Sequence, residues 1–205
     1  MYVPAHFEVT DREKLFAIVR EFSFATVVTQ GSNEPFATHL PILLDESNPE
    51  RPRLIGHMAR ANAQWKHFSD TNVLVIFEGP HGYISPAWYE TENAVPTWNY
   101  VAVHAYGRPT LIEDPQAMQA LVDHTVDHYE AGRENPWKAE LPDDFREGLL
   151  KAIVGFEIPI ERIEGKFKLS QNRPAADVDG TIAGLRATQS EGDKELADWM
   201  ERENA

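Results

Sequence analysis

The chain contains no cysteine. That single absence removes a disulfide framework, a thiolate metal centre and a cysteine nucleophile. No apolar run approaches the length of a membrane span, and the start, MYVPAHFEVTDREK, has no apolar stretch behind a basic one. The expected setting is therefore soluble and cytoplasmic, with no membrane partner. Positive charge is also scarce: 19 Lys and Arg face 33 Asp and Glu, a formal net charge of −14. Contact with nucleic acid draws much of its affinity from Lys and Arg on phosphates, so an acidic chain without a basic run argues against broad DNA contact. It leaves room for no more than a small basic patch. GxGxxG after a strand, GxxxxGK[ST] and GxSxG are all missing, which leaves Rossmann, P-loop and serine-hydrolase chemistry without support.

Acidic residues are themselves absent from two stretches. Between Arg51 and Ser69 the chain carries Arg51, Arg53, Arg60 and Lys66 with no carboxylate; between Gly165 and Ala176 it carries Lys166, Lys168 and Arg173 with none. Buried strands shed carboxylates, but they shed Lys and Arg as well, and these were kept. Residues 53–68, RLIGHMARANAQWKHF, read as a strand (Arg53 to Met58), a corner at Ala59-Arg60-Ala61 and a short helix from Asn62. Asn62 is a natural N-cap. A strand that delivers His57 and Arg60 to the positive end of a helix is an anion site in outline.

The remaining elements follow from pattern. Thr10-Asp11-Arg12-Glu13 reads as a capping box opening a helix to about Phe22, with Leu15, Ile18, Val19 and Phe22 on one face. Phe24–Gln30 and Pro35–Leu44 form a hairpin across Gly31-Ser32-Asn33-Glu34, and Asn72–Glu78 suits a central strand. Gly79–Pro96 is expected to be an irregular but packed loop, on account of its three prolines and its aromatics Tyr83, Trp88 and Tyr89. Thr97–Ile112 and Ile153–Glu164 are the long strand candidates. Between them lies a helical insertion at about 114–151, opened by Asp114-Pro115. Strands joined mostly by turns point to a mainly β protein, an antiparallel sheet or barrel with helical additions.

Several residues also have plainer readings. His39 reads equally as a core histidine, and Trp65 and Trp98 as core aromatics. Asp123-His124-x-x-Asp127-His128 places two histidines at i, i+4 on one helical face, yet a polar face opposite Met118, Leu121 and Val122 explains them; no metal is expected. Arg60 has little plain explanation at a corner without a nearby acid.

The sequence also resembles a known family. MYVPAHF at the start, ATHLP (37–41), GHMARANAQW (56–65), GPHGYISPAWY (79–89), VPTWNYVAVHAYG (95–107) and KLSQNR (168–173), in that order, are similar to the PaiB-like FMN-binding proteins, described as negative transcriptional regulators. The resemblance implies an antiparallel FMN-binding split β-barrel, PNP-oxidase-like, over residues 1–185; residues 186–205 lie outside it and read as an acidic helical tail. That tail carries Leu196, Trp199 and Met200 on a stripe expected to dock on its own dimer. It further implies a homodimer with FMN at its interface. His57, Arg60, Asn62, Gln64 and Trp65 are then expected at the phosphate and ribityl end, and Thr38, His39 and Leu40 along the ring. Trp98, Asn99, Lys168, Gln171, Asn172 and Arg173 are expected from the partner subunit. No catalytic residue is expected, and a non-enzymatic role is favoured. The alternatives are an FMN-dependent oxidoreductase (flavin reductase or pyridoxamine-phosphate-oxidase-like) and a haem-binding variant with His39 and His57 as axial ligands. DNA as a partner comes from the family description alone.

Overall fold

The computed structural model describes all residues except Ser32, Ser69, Asp70, Ala139 and Ala205, so the tip of the first hairpin turn lies outside the described residues. In chain order the elements open with β1 (Glu8–Val9), α1 (Arg12–Glu21), β2 (Phe24–Gln30), β3 (Pro35–Asp45) and β4 (Arg53–Ala59). A 3₁₀ turn (Ala63–His67), β5 (Val73–Ile84), β6 (Thr97–Gly107) and β7 (Thr110–Ile112) follow. The helical insertion is α2 (Pro115–Glu130) and α3 (Asp143–Lys151); β8 (Ile153–Pro159), β9 (Arg162–Lys168), α4 (Ala175–Ala187) and α5 (Glu191–Asn204) complete the chain.

Contacts divide the chain into two compact units. The first comprises residues 1–18, 77–104 and 163–205, the second residues 19–76 and 105–162, with the division falling inside α1, β5 and β6 and after the first residue of β9.

The second unit holds strands in the order β5-β2-β3-β4-β8-β7. Its registered pairs are antiparallel, with Thr26 opposite His39, Leu43 opposite Ile55 and His57 opposite Gly155. Alternation along β2 sends Ala25, Val27 and Thr29 inward and leaves Phe24, Thr26 and Val28 outward. Val27, Ile42, Leu54, Met58 and Phe156 are buried, and Phe68 packs edge-on against Phe156. The insertion adds a satellite core in which Met118 and Leu121 of α2 meet Leu43 and Ile55. Gly155 permits that approach, because a Cβ there would stand 2.7 Å from Met118 Sδ. Asp114 caps α2 by accepting from Ala117 N at 2.8 Å, with Pro115 in the first turn, as the sequence predicts.

The first unit holds the order β1-β9-β6-β5, with α1, α4 and α5. A Cβ on Gly165 of β9 would stand 2.1 Å from Leu15, so α1 lies hard against that strand. Trp88 is seated on α4, where Gly180 and Gly184 leave room for its backbone and ring.

Five expectations are corrected. Asp11, not Thr10, caps α1, accepting from Glu13 N at 2.9 Å. Residues 79–84 continue β5; the burial alternation slips at Gly79-Pro80 and resumes with His81 and Tyr83 exposed. Arg108-Pro109 breaks Thr97–Ile112 into β6 and β7, and a bend at residues 160–161 breaks the last strand into β8 and β9. The tail forms two helices, as its pattern from Ala176 offers, but Leu196, Trp199 and Met200 of α5 are buried within their own unit rather than held for a partner. Trp199 lies edge-on to Phe167 there.

Candidate functional site

In the second unit the corner after β4 forms as expected, but its helix is a five-residue 3₁₀ turn. Asn62 caps it, its Oδ1 accepting from Gln64 N at 3.0 Å. So short a turn sums few peptide dipoles, and the helix-end part of the anion argument falls away. The side chains carry what remains. Asn62 Nδ2 donates to Thr38 Oγ1 at 2.9 Å and so ties the corner to β3. Trp65 Nε1 donates to Arg60 O at 3.1 Å, and Lys66 Nζ stands 5.6 Å over the Trp65 ring.

Arg60 does have a structural task. Its Nε donates to Lys151 O and its Nη2 to Ile153 O, both at 2.8 Å, and its backbone N–H bonds Ala152 O at 2.8 Å. One arginine thus grips three consecutive residues where α3 meets β8. The grip fixes the plane of the guanidinium and leaves Nη1 without a partner among the described residues, a donor held ready for an anion.

Gln64 is fully buried. Its Nε2 donates to Val27 O at 2.8 Å and Phe36 O at 3.1 Å, with Thr29 Oγ1 at 3.3 Å, so the side chain stitches the turn to β2 and β3. His57, on β4, is half-buried, and burial lowers its pKa, which keeps the imidazole neutral at pH 7. Leu40 is buried. His39 is exposed on β3, its Nδ1 3.3 Å from Thr26 Oγ1 and its ring edge-on to Phe24, which is 69% exposed. The core-histidine reading of His39 is overturned.

The first unit gathers the other expected residues. Trp98 on β6 is 55% exposed, contrary to a core reading, with His81 and Tyr83 of β5 beside it at 6.5 and 6.2 Å between ring centroids. Lys168 Nζ donates to Thr97 Oγ1 and Trp98 O, both at 2.5 Å. Lys166, almost wholly buried, donates to Tyr2 O at 3.3 Å and faces the rings of Tyr2 and Tyr100. Among the described residues neither lysine meets a carboxylate. Burial, then repulsion from Lys166 and Arg173, lowers the Lys168 pKa. Two poorly hydrated ammonium groups with only neutral acceptors form a positive site that lacks its counter-charge. Gln171 is turned back on the chain, donating to Phe167 O at 2.6 Å and accepting from Leu169 N at 2.8 Å. Asn172 stands in the same turn, exposed. Asn99 is buried, its Nδ2 donating to Ser170 Oγ at 2.9 Å.

Arg173 is stacked 4.5 Å over the Tyr89 ring and stands 3.7 Å from Asp177. Asp177, which the sequence reading passed over, is buried, and its Oδ1 accepts from Glu90 N and Thr91 N at 3.0 Å. Burial alone would raise its pKa, but these bonds and the Arg173 charge bring it below the ordinary value. Asp177 is the first acid after the second acid-free window, and that position was its only signal. His81 and Tyr83 were legible as exposed only once the alternation of β5 was carried past Pro80. His124 and His128 are exposed on α2, and no group that could hold a metal is found among the described residues. No helix of the described residues is long and apolar enough to cross a membrane.

Comparison with known proteins agrees with this architecture. A family model described as "Putative FMN-binding domain" matches residues 1–162. Protease synthase and sporulation protein PAI 2 of Bacillus subtilis is 42% identical over 204 residues, covering 98% of this chain and 97% of that protein. The FAD and heme binding protein from Mycobacterium smegmatis shares the fold at a TM-score of 0.63 and 17% identity, over 86% of this chain and 79% of its own. The flavocytochrome Anf3 from Azotobacter vinelandii does so at 0.61 and 18%, over 81% and 72%. The family model and these two structures agree with the antiparallel sheet and flanking helices described above, an FMN-binding split-barrel fold. With the six motifs in order and a relative matched along nearly its whole length, the chain belongs to the PaiB-like FMN-binding family.

Proposed function

We propose that this chain is a homodimeric, FMN-binding regulatory protein in which the flavin is a sensing or structural element. The observation that carries the reading is the pair of uncompensated lysines, Lys166 and Lys168, next to the exposed ring of Trp98. FMN needs cations and N–H donors for its phosphate and an aromatic or apolar surface for its rings, and these residues offer both. When bound, the flavin supplies one- or two-electron redox chemistry, and the protein's part is binding and orientation.

In this proposal Arg60 offers Nη1 to the phosphate while its other nitrogens stay on the backbone, with His57, Asn62 and Trp65 alongside. Thr38, His39 and Leu40 follow the ring, and neutral His57 serves as a hydrogen-bonding rather than a charged group. Trp98, Lys168, Asn172 and Arg173 come from the partner subunit. Gln64, Gln171 and Asn99, whose amides are engaged within the fold, hold the frame. The regulatory role itself rests on the family.

A haem-bearing variant is the second reading, favoured by the exposed imidazole of His39. Titration of the purified protein with FMN, followed by flavin fluorescence and repeated with Lys168→Gln and Arg60→Ala, tests the assignment. Each substitution is expected to weaken FMN binding by about tenfold or more, the scale of one lost charge-assisted contact. Wild-type affinity in both variants would sink the assignment. Bleaching of the bound flavin by NAD(P)H at a useful rate would move the protein to the oxidoreductases, and haem uptake with a Soret band would move it to the second reading.

A further inference from the structure

Beneath the helical insertion, and bordered on one side by the proposed flavin contacts Arg60 and Trp65, the second unit contains a cavity of about 690 Å³. Its wall is built from Leu111 and Ile112 of β7, Met118 of α2, Leu150 of α3 and Val154 of β8, with Arg60 and Trp65 at one side. We propose that this cavity binds a compact, uncharged molecule with an aromatic or alicyclic body, distinct from the flavin. Small-molecule sites have volumes of roughly 300–1,000 Å³ and are mostly apolar, and this one lies within that range.

The polar groups on the wall define the ligand by what they do not offer. Arg60 turns its Nε and Nη2 to Lys151 O and Ile153 O and its N–H to Ala152 O, which satisfies the backbone at the end of α3. Lys151 pairs with Glu147 one turn back at 3.4 Å. The charged groups of the wall, Arg60 and Lys151 against Glu113 and Glu147, balance in sign, so beyond the Arg60 Nη1 given to the flavin the wall offers a ligand no net charge. This contrasts with the uncompensated lysines of the first unit, and a second phosphate is not what the cavity selects. Admission needs no rearrangement, because the cavity is already open to solvent on one side.

The test uses the full chain and N-phenyl-1-naphthylamine, an uncharged fluorophore that brightens in apolar surroundings. Saturable binding at one site per chain is expected. Leu111→Trp, which fills the cavity, is expected to weaken it by about tenfold or more. The double variant Phe145→Ser, Leu149→Ser alters the exposed apolar residues of α3 outside the cavity, and is expected to bind within about twofold of wild type. FMN is expected not to displace the probe. Non-saturable binding, loss in the α3 double variant instead of Leu111→Trp, or competitive displacement by FMN would each overturn the proposal. Far-UV circular dichroism confirms that Leu111→Trp is folded, and Leu150→Phe replaces it should it not be. FMN titration of Leu111→Trp is read separately, so failure of the cavity and failure of the flavin reading are told apart.

Discussion

Gln64 lies at the centre of the corner motif, and Gln64→Leu separates a framing role from a ligand contact. Leu has nearly the same volume, so the perturbation is chiefly the loss of the amide. Val27 O and Phe36 O each lose a donor, but Phe36 O keeps Thr29 Oγ1 at 3.4 Å, and Thr29 Oγ1 keeps His67 Nδ1 at 3.1 Å. Losing the donor to buried Val27 O costs about 1–3 kcal/mol, and losing one of two donors to Phe36 O about 0.5–1.5. Against this, Gln64 Oε1 is itself buried without a partner in the native fold, and removing it returns about 1–3 kcal/mol. The net loss is about 1 kcal/mol, which for a chain of this size lowers Tm by about 2–4 °C. Differential scanning calorimetry with and without FMN is the assay. The same loss is expected in both conditions, because the amide acts within the fold. Gln64→Glu is expected to be worse at pH 7, since a carboxylate cannot donate to either carbonyl and is buried as a charge. A Gln64→Leu protein as stable as wild type, or destabilised only when FMN is present, would refute the reasoning.

Two further outcomes follow from packing and titration. In Gly184→Ala the new Cβ would stand 2.3 Å from Trp88 Cδ2, so the ring must leave its seat on α4. A loss of about 1–3 kcal/mol is expected, with a red shift in tryptophan emission; an unshifted spectrum would contradict the seating. Burial holds the His57 pKa below its ordinary value, so the unfolded chain binds that proton more readily than the folded one. The His57 contribution is therefore whole above about pH 6.5 and is lost as pH falls through the lower folded value. Urea midpoints at pH 7.5 and 5.0 are expected to fall further apart in wild type than in His57→Gln; equal differences would refute it.

How far the sequence carried depended on whether the decisive interactions were local. Asp114-Pro115 and Asn62 were legible because a cap is made within three residues. The split of Thr97–Ile112 was also local, at Arg108-Pro109, yet the alternation running through it masked the break. Charge misled where partners were distant. The window around Arg53 contains no acid, yet Arg53 meets Asp45 of β3 at 2.8 Å and Glu157 of β8, and Arg173 meets Asp177 one turn on. For Lys166 and Lys168, as for Arg60, the lack of acids in sequence became a lack of acids in space among the described residues. Arg60 showed a cation without a local partner, but its grip on the α3–β8 junction spans some ninety residues of chain and no periodicity reports it. Exposure of Trp98 and His39 was likewise invisible to composition, because an aromatic residue on a strand has two faces to choose from.

The visible absorbance spectrum of the purified chain, before and after reconstitution with FMN and removal of free flavin, tests the central claim most directly. The account predicts a retained band near about 450 nm, as for an oxidised flavin, at one FMN per chain and eluting with a dimer. A colourless protein that retains no flavin after reconstitution would contradict it.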